Sequence, residues 1–168
     1  RMLMDSRAFT EGARAFMFWT ALYGDLLHKS PDDAVRQKAG DYMALMTPVV
    51  KAFLTDIGFK TTSECLQLHG GIGYTQEMGV EQYMRDARIA MIYEGTNGIQ
   101  ALDLVGRKLA ANGGRAIFTF FKEMDDFVGE NADNSDMKLF TDALSDAKKK
   151  LEAGTTWLMQ NGLSNFNN

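Results

Sequence analysis

Apolar residues recur every three or four positions along nearly the whole 168-residue chain, and strand-like alternation is hard to find. That period belongs to the α-helix, so the chain must bury helical faces rather than sheet faces. Only two prolines, Pro31 and Pro48, interrupt it. Over 2–28, Phe9, Ala13, Phe16, Thr20, Tyr23 and Leu27 share one face, and Met17, Trp19, Leu22 and Leu26 widen it well beyond a stripe. A helix so broadly apolar belongs inside a bundle. Ser30-Pro31-Asp32-Asp33 offers an N-cap, a proline near the first helical position and acids in the first turn, which predicts a second helix over 31–46. Thr47-Pro48 repeats the start signal and predicts a third over 48–69. Gly58 is tolerated inside it at about 1 kcal/mol relative to Ala.

Gly70-Gly71-x-Gly73 should stop that helix. A short helix is expected over 79–88, with Val80, Tyr83, Met84 and Ala87 buried. A turn at Glu94-Gly95-Thr96-Asn97 then leads into a helix over 97–111, with Ile99, Leu102, Val105 and Leu109 inward. The expected fold class is all-α: an up-and-down four-helix-type bundle with a helical C-terminal appendage. Asn112-Gly113-Gly114 marks the expected boundary, giving domains 1–112 and 113–168. In the second, Ile117, Phe120, Phe121, Met124, Phe127 and Val128 mark one amphipathic helix, and Met137, Phe140, Leu144, Ala147, Leu151 and Leu158 another. An Asn- and Asp-rich loop over 129–136 joins them, and the end from Asn165 to Asn168 is expected to fray. Two such helices must either dock on the first bundle or await further chain.

Composition narrows the function classes. A net charge of −4 argues against a nucleic-acid footprint, and residues 113–168 hold 9 acids against 6 bases. The single cysteine, Cys65, permits no internal disulfide, fits a reducing compartment and is expected to pack in the third helix. No apolar run reaches transmembrane length. His28 and His69 show no paired metal spacing, so no metal is expected. The chain begins at Arg1, directly in a helical pattern, and reads as a piece of a longer protein or as a processed mature chain.

The densest run of unusual residues is 67–100. It holds two glycine-punctuated turns with a short helix between them. At the first, Gln67 precedes Gly70 and Gly71; such glycines are either a plain helix stop or a place where backbone N–H groups meet a bulky anionic ligand. The preceding segment reads as helix, so this is no dinucleotide-binding fingerprint, which needs a strand there. At the second, Glu94 follows Met91, Ile92 and Tyr93, which offer apolar walls, and precedes Gly95, which admits close approach of a ligand. Thr96 is an N-cap for the 97–111 helix, a ligand contact, or both. Arg85, Asp86 and Arg88 are expected to form a buried or interfacial ion-pair cluster under this turn.

The run from Gln67 to Gln100, and Tyr93-Glu94-Gly95-Thr96 within it, resembles the C-terminal signature of the acyl-CoA dehydrogenase flavoenzymes. The likeness is dense over 48–109, looser over 1–47 and faint beyond 113. It implies that Glu94 removes the α-proton of an acyl-CoA thioester while FAD takes the β-hydride, giving a 2-enoyl-CoA. A glutamate carboxyl group, which in water titrates at about pH 4.3, needs burial and positioning for that task. The backbone N–H of Glu94 would bond the thioester carbonyl, with Tyr93 and Gly95 beside the substrate. Gln67, Gly70, Gly71 and Thr96 would contact FAD, the first three on a flavin held by a neighbouring subunit. Many relatives carry an acid or amide two residues past this Thr, where Gly98 stands here, so no side-chain contact to the adenine is expected there. The Asn97-Gly98 pair looks like the larger members with an extra C-terminal region. The resemblance also implies an electron-transferring flavoprotein as partner, a homo-oligomer, and a bacterial cytoplasm or mitochondrial matrix. The chain alone is expected to be inactive. The alternatives are a DNA-damage-response flavoprotein branch, whose basic surface does not match an acidic chain, and a non-enzymatic helical interaction module.

Overall fold

A computed structural model describes residues 1–162; the expectation for Asn165–Asn168 lies outside them. Those residues form six α-helices and no strand: α1 (Met2–Lys29), α2 (Asp33–Gly73), α3 (Val80–Ala90), α4 (Asn97–Asp103), α5 (Arg115–Glu130) and α6 (Lys138–Trp157). The chain is all-α. It divides into two compact units, Arg1–Asp103 and Leu104 onward.

In the first unit α1 and α2 run antiparallel. Phe9 meets Phe53 at 6.2 Å, while Trp19 and Tyr23 lie 5.7 Å and 4.8 Å from Tyr42, so rising positions in α1 pair with falling positions in α2. The six residues expected on the inner face of α1 are all buried or half-buried. Ala39, Tyr42, Leu45 and Met46 form the matching core of α2. The N-cap of α2 is Asp32, whose carboxylate accepts from the N–H of Ala34 at 2.7 Å. Ser30 instead ends α1 and accepts from the Asp32 N–H at 3.2 Å, so Pro31 stands before the cap rather than inside the helix.

One expectation fails at Pro48. The second and third helices are a single helix of 41 residues that passes through it. Proline inside a helix removes one hydrogen bond and crowds the preceding turn, at about 3 kcal/mol. Pro48 is fully buried, beside a core row of Tyr42, Leu45 and Met46. Each such side chain contributes about 1.5–3 kcal/mol on burial, so packing outweighs the local signal. The expected break comes at Gly70, whose φ of 62° and ψ of −154° leave the helix before one further turn to Gly73.

α3 lies along the C-terminal half of α2, its Val80, Met84 and Ala87 row half-buried. Tyr83, expected inside, is 68% exposed, because it sits to one side of that row. The expected ion-pair cluster is not buried either. Arg85 reaches Glu81 at 3.8 Å, Asp86 accepts from Gln82 at 2.7 Å, and Arg88 lies 5.7 Å from the Phe59 ring centre. Cys65 is half-buried in α2.

The helix expected over 97–111 is also shorter than its pattern. α4 ends at Asp103, and a wide turn follows in which the Leu109 N–H bonds the Leu104 carbonyl at 2.9 Å. Gly106, in its middle, is poor in a helix. Ile99 and Leu102 are exposed, whereas Val105 is half-buried and Leu109 buried. Residues 104–112 thus group with the second compact unit. Asn112, Gly113 and Gly114 all take left-handed backbone before α5 begins.

In that second unit α5 packs on α6 through Ile117 and Phe121. Lys148 of α6 reaches Asp125 of α5 at 2.7 Å and Glu152 at 3.1 Å, and its ammonium lies 5.8 Å from the Phe121 ring centre. The Asp125 hydrogen bond holds the Lys148 ammonium above the usual lysine range, opposed by desolvation and supported by Glu152. Phe140 and Leu151, expected inward, are exposed.

Candidate active site

The C-terminal end of α3 unwinds through closely spaced bonds: Ile92 N–H to the Ile89 carbonyl at 2.9 Å, and Tyr93 N–H to the same oxygen at 3.1 Å. Glu94 and Gly95 then both take positive φ, 57° and 91°. Two left-handed residues in succession turn the chain toward α4, where the Thr96 carbonyl accepts from the Gln100 N–H at 3.1 Å. Glycine is required at 95 on two grounds. Its φ disfavours side chains, and a Cβ there would meet the Gln100 side chain at 3.1 Å and Ile99 at 3.6 Å. Glu94 has no such exemption. A non-glycine residue there costs about 1–2 kcal/mol.

Contacts from α2 hold this conformation. The Lys51 ammonium donates to the Gly95 carbonyl at 2.7 Å and to the Asn97 side-chain oxygen at 2.8 Å. The Asn97 amide donates in turn to Asp56 at 2.6 Å, to the Thr55 hydroxyl at 3.1 Å and to the Ala52 carbonyl at 3.3 Å. The Gln100 amide donates to the Glu94 carbonyl at 3.4 Å. The first residue of α4 is thereby fixed to one face of α2, with the turn carried on it. Sequence reading missed Lys51, Thr55, Asp56 and Gln100 as site residues. Lys51 and Gly95 are 44 positions apart, and no local pattern links them.

Tyr93, Glu94, Gly95 and Thr96 are brought together on this one turn, where Tyr93, Glu94 and Thr96 are exposed. The apolar walls expected around Glu94 are only partly formed by this chain: Met91 is half-buried, and Ile92 is 46% exposed.

Gln67, Gly70 and Gly71 stand elsewhere, at the far end of α2. Gln67 lies sixteen residues beyond Lys51, roughly 24 Å along the helix axis at 1.5 Å per residue. All three are exposed. The glycines of this stretch differ in what demands them. The φ and ψ of Gly70 fall in a region that is essentially glycine's alone. At Gly73 a Cβ would come within 2.5 Å of the His69 Cβ and 3.1 Å of the Leu66 carbonyl. Gly71 has an ordinary φ and nothing within 4 Å of where its Cβ would be.

An open groove of about 690 Å³ lies between α2 and α3, its lining including Phe59, Leu66, Tyr74, Met84, Arg85 and Arg88. None of the expected site residues lines it. Among the described residues no three His, Cys, Asp or Glu side chains gather as metal ligands. None of the described helices is long and apolar enough to cross a membrane.

Residues 31–109 match the family model of the acyl-CoA dehydrogenase C-terminal domain. The chain is 38% identical over 160 residues to the 3-methylmercaptopropionyl-CoA dehydrogenase of Ruegeria pomeroyi. It is 36% identical over 168 residues to the broad-specificity linear acyl-CoA dehydrogenase FadE5 of Mycobacterium tuberculosis, and 29% over 164 residues to a butyryl-CoA dehydrogenase of Syntrophomonas wolfei. The three comparisons cover 95%, 95% and 96% of this chain, so the likeness continues past residue 109. Each covers 27% of the relative's own length, so the chain spans about a quarter of each of these relatives. With the all-helical fold and the Tyr93–Thr96 turn in place, the chain belongs to the acyl-CoA dehydrogenase family, whose C-terminal domain occupies residues 31–109.

Proposed function

We propose that this chain is the C-terminal part of an FAD-dependent acyl-CoA dehydrogenase and that Glu94 is its catalytic base. The observation that carries this reading is the Glu94 turn itself: an exposed carboxylate in left-handed backbone, restrained from α2. Strain of that kind persists where the surroundings over-determine it, and it concentrates at functional positions.

The Glu94 carboxylate takes the proton from the carbon next to the thioester. The electron pair of that C–H bond becomes the new double bond as the hydride leaves the β-carbon. FAD, when bound, supplies the acceptor for that hydride. The backbone N–H of Glu94 would bond the thioester oxygen as negative charge develops there. Tyr93 and Gly95 flank the acyl group. Thr96 offers a hydroxyl to the flavin.

Gly71 supports the second contact region. Gly70 and Gly73 are accounted for by the fold, whereas Gly71 is exposed, unstrained and open, which suits backbone approached by a ligand. Its distance along α2 from the Glu94 turn supports assigning Gln67, Gly70 and Gly71 to a flavin held by a neighbouring subunit. A homo-oligomer follows, and the exposed Phe18 and Leu22 of α1 provide apolar surface for it. Electrons would leave to an electron-transferring flavoprotein. The chain alone carries one part of such a site and would be inactive.

The test is Glu94→Gln in the full-length protein. The amide keeps the shape and cannot accept the proton. FAD should stay bound while acyl-CoA oxidation falls by roughly 10² to 10⁴, the usual scale for a positioned base. Near-normal turnover would place the base elsewhere.

A further inference from the structure

Lys51 is half-buried in α2, and its ammonium is committed to the Glu94 turn through the Gly95 carbonyl at 2.7 Å and the Asn97 oxygen at 2.8 Å. A charged donor makes a hydrogen bond about twice as strong as a neutral one. The Gln100 amide also reaches the Gly95 carbonyl, at 3.5 Å. The Glu94 carbonyl takes the same amide at 3.4 Å; both are long contacts, so the short Lys51 bond is the firmer restraint. Asn97 links the ammonium to Asp56, so the cation is balanced across the amide by a carboxylate on the next turn of the same helix. Lys51, Ala52, Thr55 and Asp56 are spaced i, i+1, i+4 and i+5, which places them on one face. The proton-accepting group therefore sits on a strained turn whose conformation is referred to the rigid middle of α2.

We infer that Lys51 is the positioning residue of the Glu94 turn: an ammonium clamp that keeps the carboxylate in line with the α-proton. It does not touch substrate. The inference rests on the reading of Glu94 as the base, and it identifies what sets that base in place. A displacement of about 1 Å in a catalytic group can cost 10²-fold in rate.

The experiment uses the full-length holoprotein, reduced anaerobically with whichever of butyryl-, octanoyl- or palmitoyl-CoA the wild type consumes fastest. Lys51→Met removes the donor and keeps the stem. The flavin-bleaching rate constant at saturation, per bound flavin, should fall roughly 10- to 100-fold. The half-saturating concentration should stay within about two-fold, because Lys51 itself makes no contact with substrate. Deuterium at the α-carbon should slow the variant at least as much as the wild type. Lys51→Arg, which keeps a charged donor, should recover most of the rate.

A clamp with a purely structural role would lower flavin content or melting temperature and leave the rate per bound flavin unchanged; that result overturns the inference. If Lys51→Met yields no holoprotein, Lys51→Gln is measured in the same way. It keeps a neutral donor on a shorter stem, so an intermediate rate supports the clamp and a wild-type rate overturns it. Glu94→Gln separates the two levels. If that variant is inactive while Lys51→Met is fully active per flavin, the clamp alone fails. If Glu94→Gln is fully active, the reading beneath the clamp fails with it.

Discussion

Glycine 71 and glycine 73 stand two residues apart and should respond oppositely to a methyl group. At Gly73 the added Cβ meets the His69 Cβ at 2.5 Å and a backbone oxygen at 3.1 Å, so the chain itself must shift. Gly73→Ala should destabilise the chain by about 1–3 kcal/mol, the scale of an overpacked site. At Gly71 the space is open and φ is ordinary, so Gly71→Ala should be neutral or stabilising by up to about 1 kcal/mol through loss of unfolded-state freedom. Thermal melting of the two variants, followed by circular dichroism, checks both signs. In the full-length protein a bulkier Gly71→Val should lower the flavin-to-protein absorbance ratio while sparing helicity. An unchanged ratio would leave Gly71 as part of a plain helix stop. The glycines are legible in the sequence as a group, and their separate reasons are not. Those reasons depend on φ, and on the His69 side chain lying over Gly73.

At the scale of elements, legibility follows the length of the periodic pattern. α1 is legible to within a residue because its six inner positions, Phe9 to Leu27, repeat over about five turns. α2 reads as two helices because Thr47-Pro48 mimics a helix start, and nothing local says that Tyr42, Leu45 and Met46 outweigh it. The inner residues expected in 97–111 are displaced because the helix ends at Asp103. The Lys51 clamp is invisible because it joins positions 44 apart.

The α5–α6 pair supplies a pH prediction. The folded state raises the Lys148 pKa through Asp125 and Glu152. The stabilisation is therefore complete below the unfolded lysine value and is lost as pH rises through the higher folded one. Between about pH 9 and pH 12, the wild-type chain should lose more melting temperature than Lys148→Met, which has no ammonium to discharge. Parallel curves for the two proteins would show that the contact contributes nothing.

At the scale of the whole molecule, the isolated 168-residue chain should be strongly helical, colourless and self-associating. Helicity follows from six helices and no strand among the described residues. Absence of colour follows from the proposed function, in which one chain presents only part of a flavin site. Association follows from uncovered apolar side chains in each unit, Phe18 at 62% and Leu22 at 54% in the first, Leu139 at 76% and Phe140 at 63% in the second. Sedimentation at rising concentration checks the last point, and a monomer throughout would mean those faces are tolerated in water. A yellow preparation with stoichiometric FAD would contradict the partial-site argument.

On the function proposed above, the 41-residue α2 fixes more than a distance between the Glu94 turn and the flavin-contacting glycines. Between Asp56, the last residue of α2 that holds the Glu94 turn, and Gln67 it is an unbroken screw, so each residue inserted there advances the far glycines by 1.5 Å and rotates them by about 100° about the axis. One extra residue should aim Gln67 and Gly71 away from their flavin while leaving the Glu94 turn intact on its own threads. Seven extra residues bring the phase back to within about 20° but leave the glycines about 10 Å too far along. Neither insertion should restore flavin retention. Pitch and length here would then both belong to the active-site geometry, and this segment should accept substitutions much more readily than insertions or deletions.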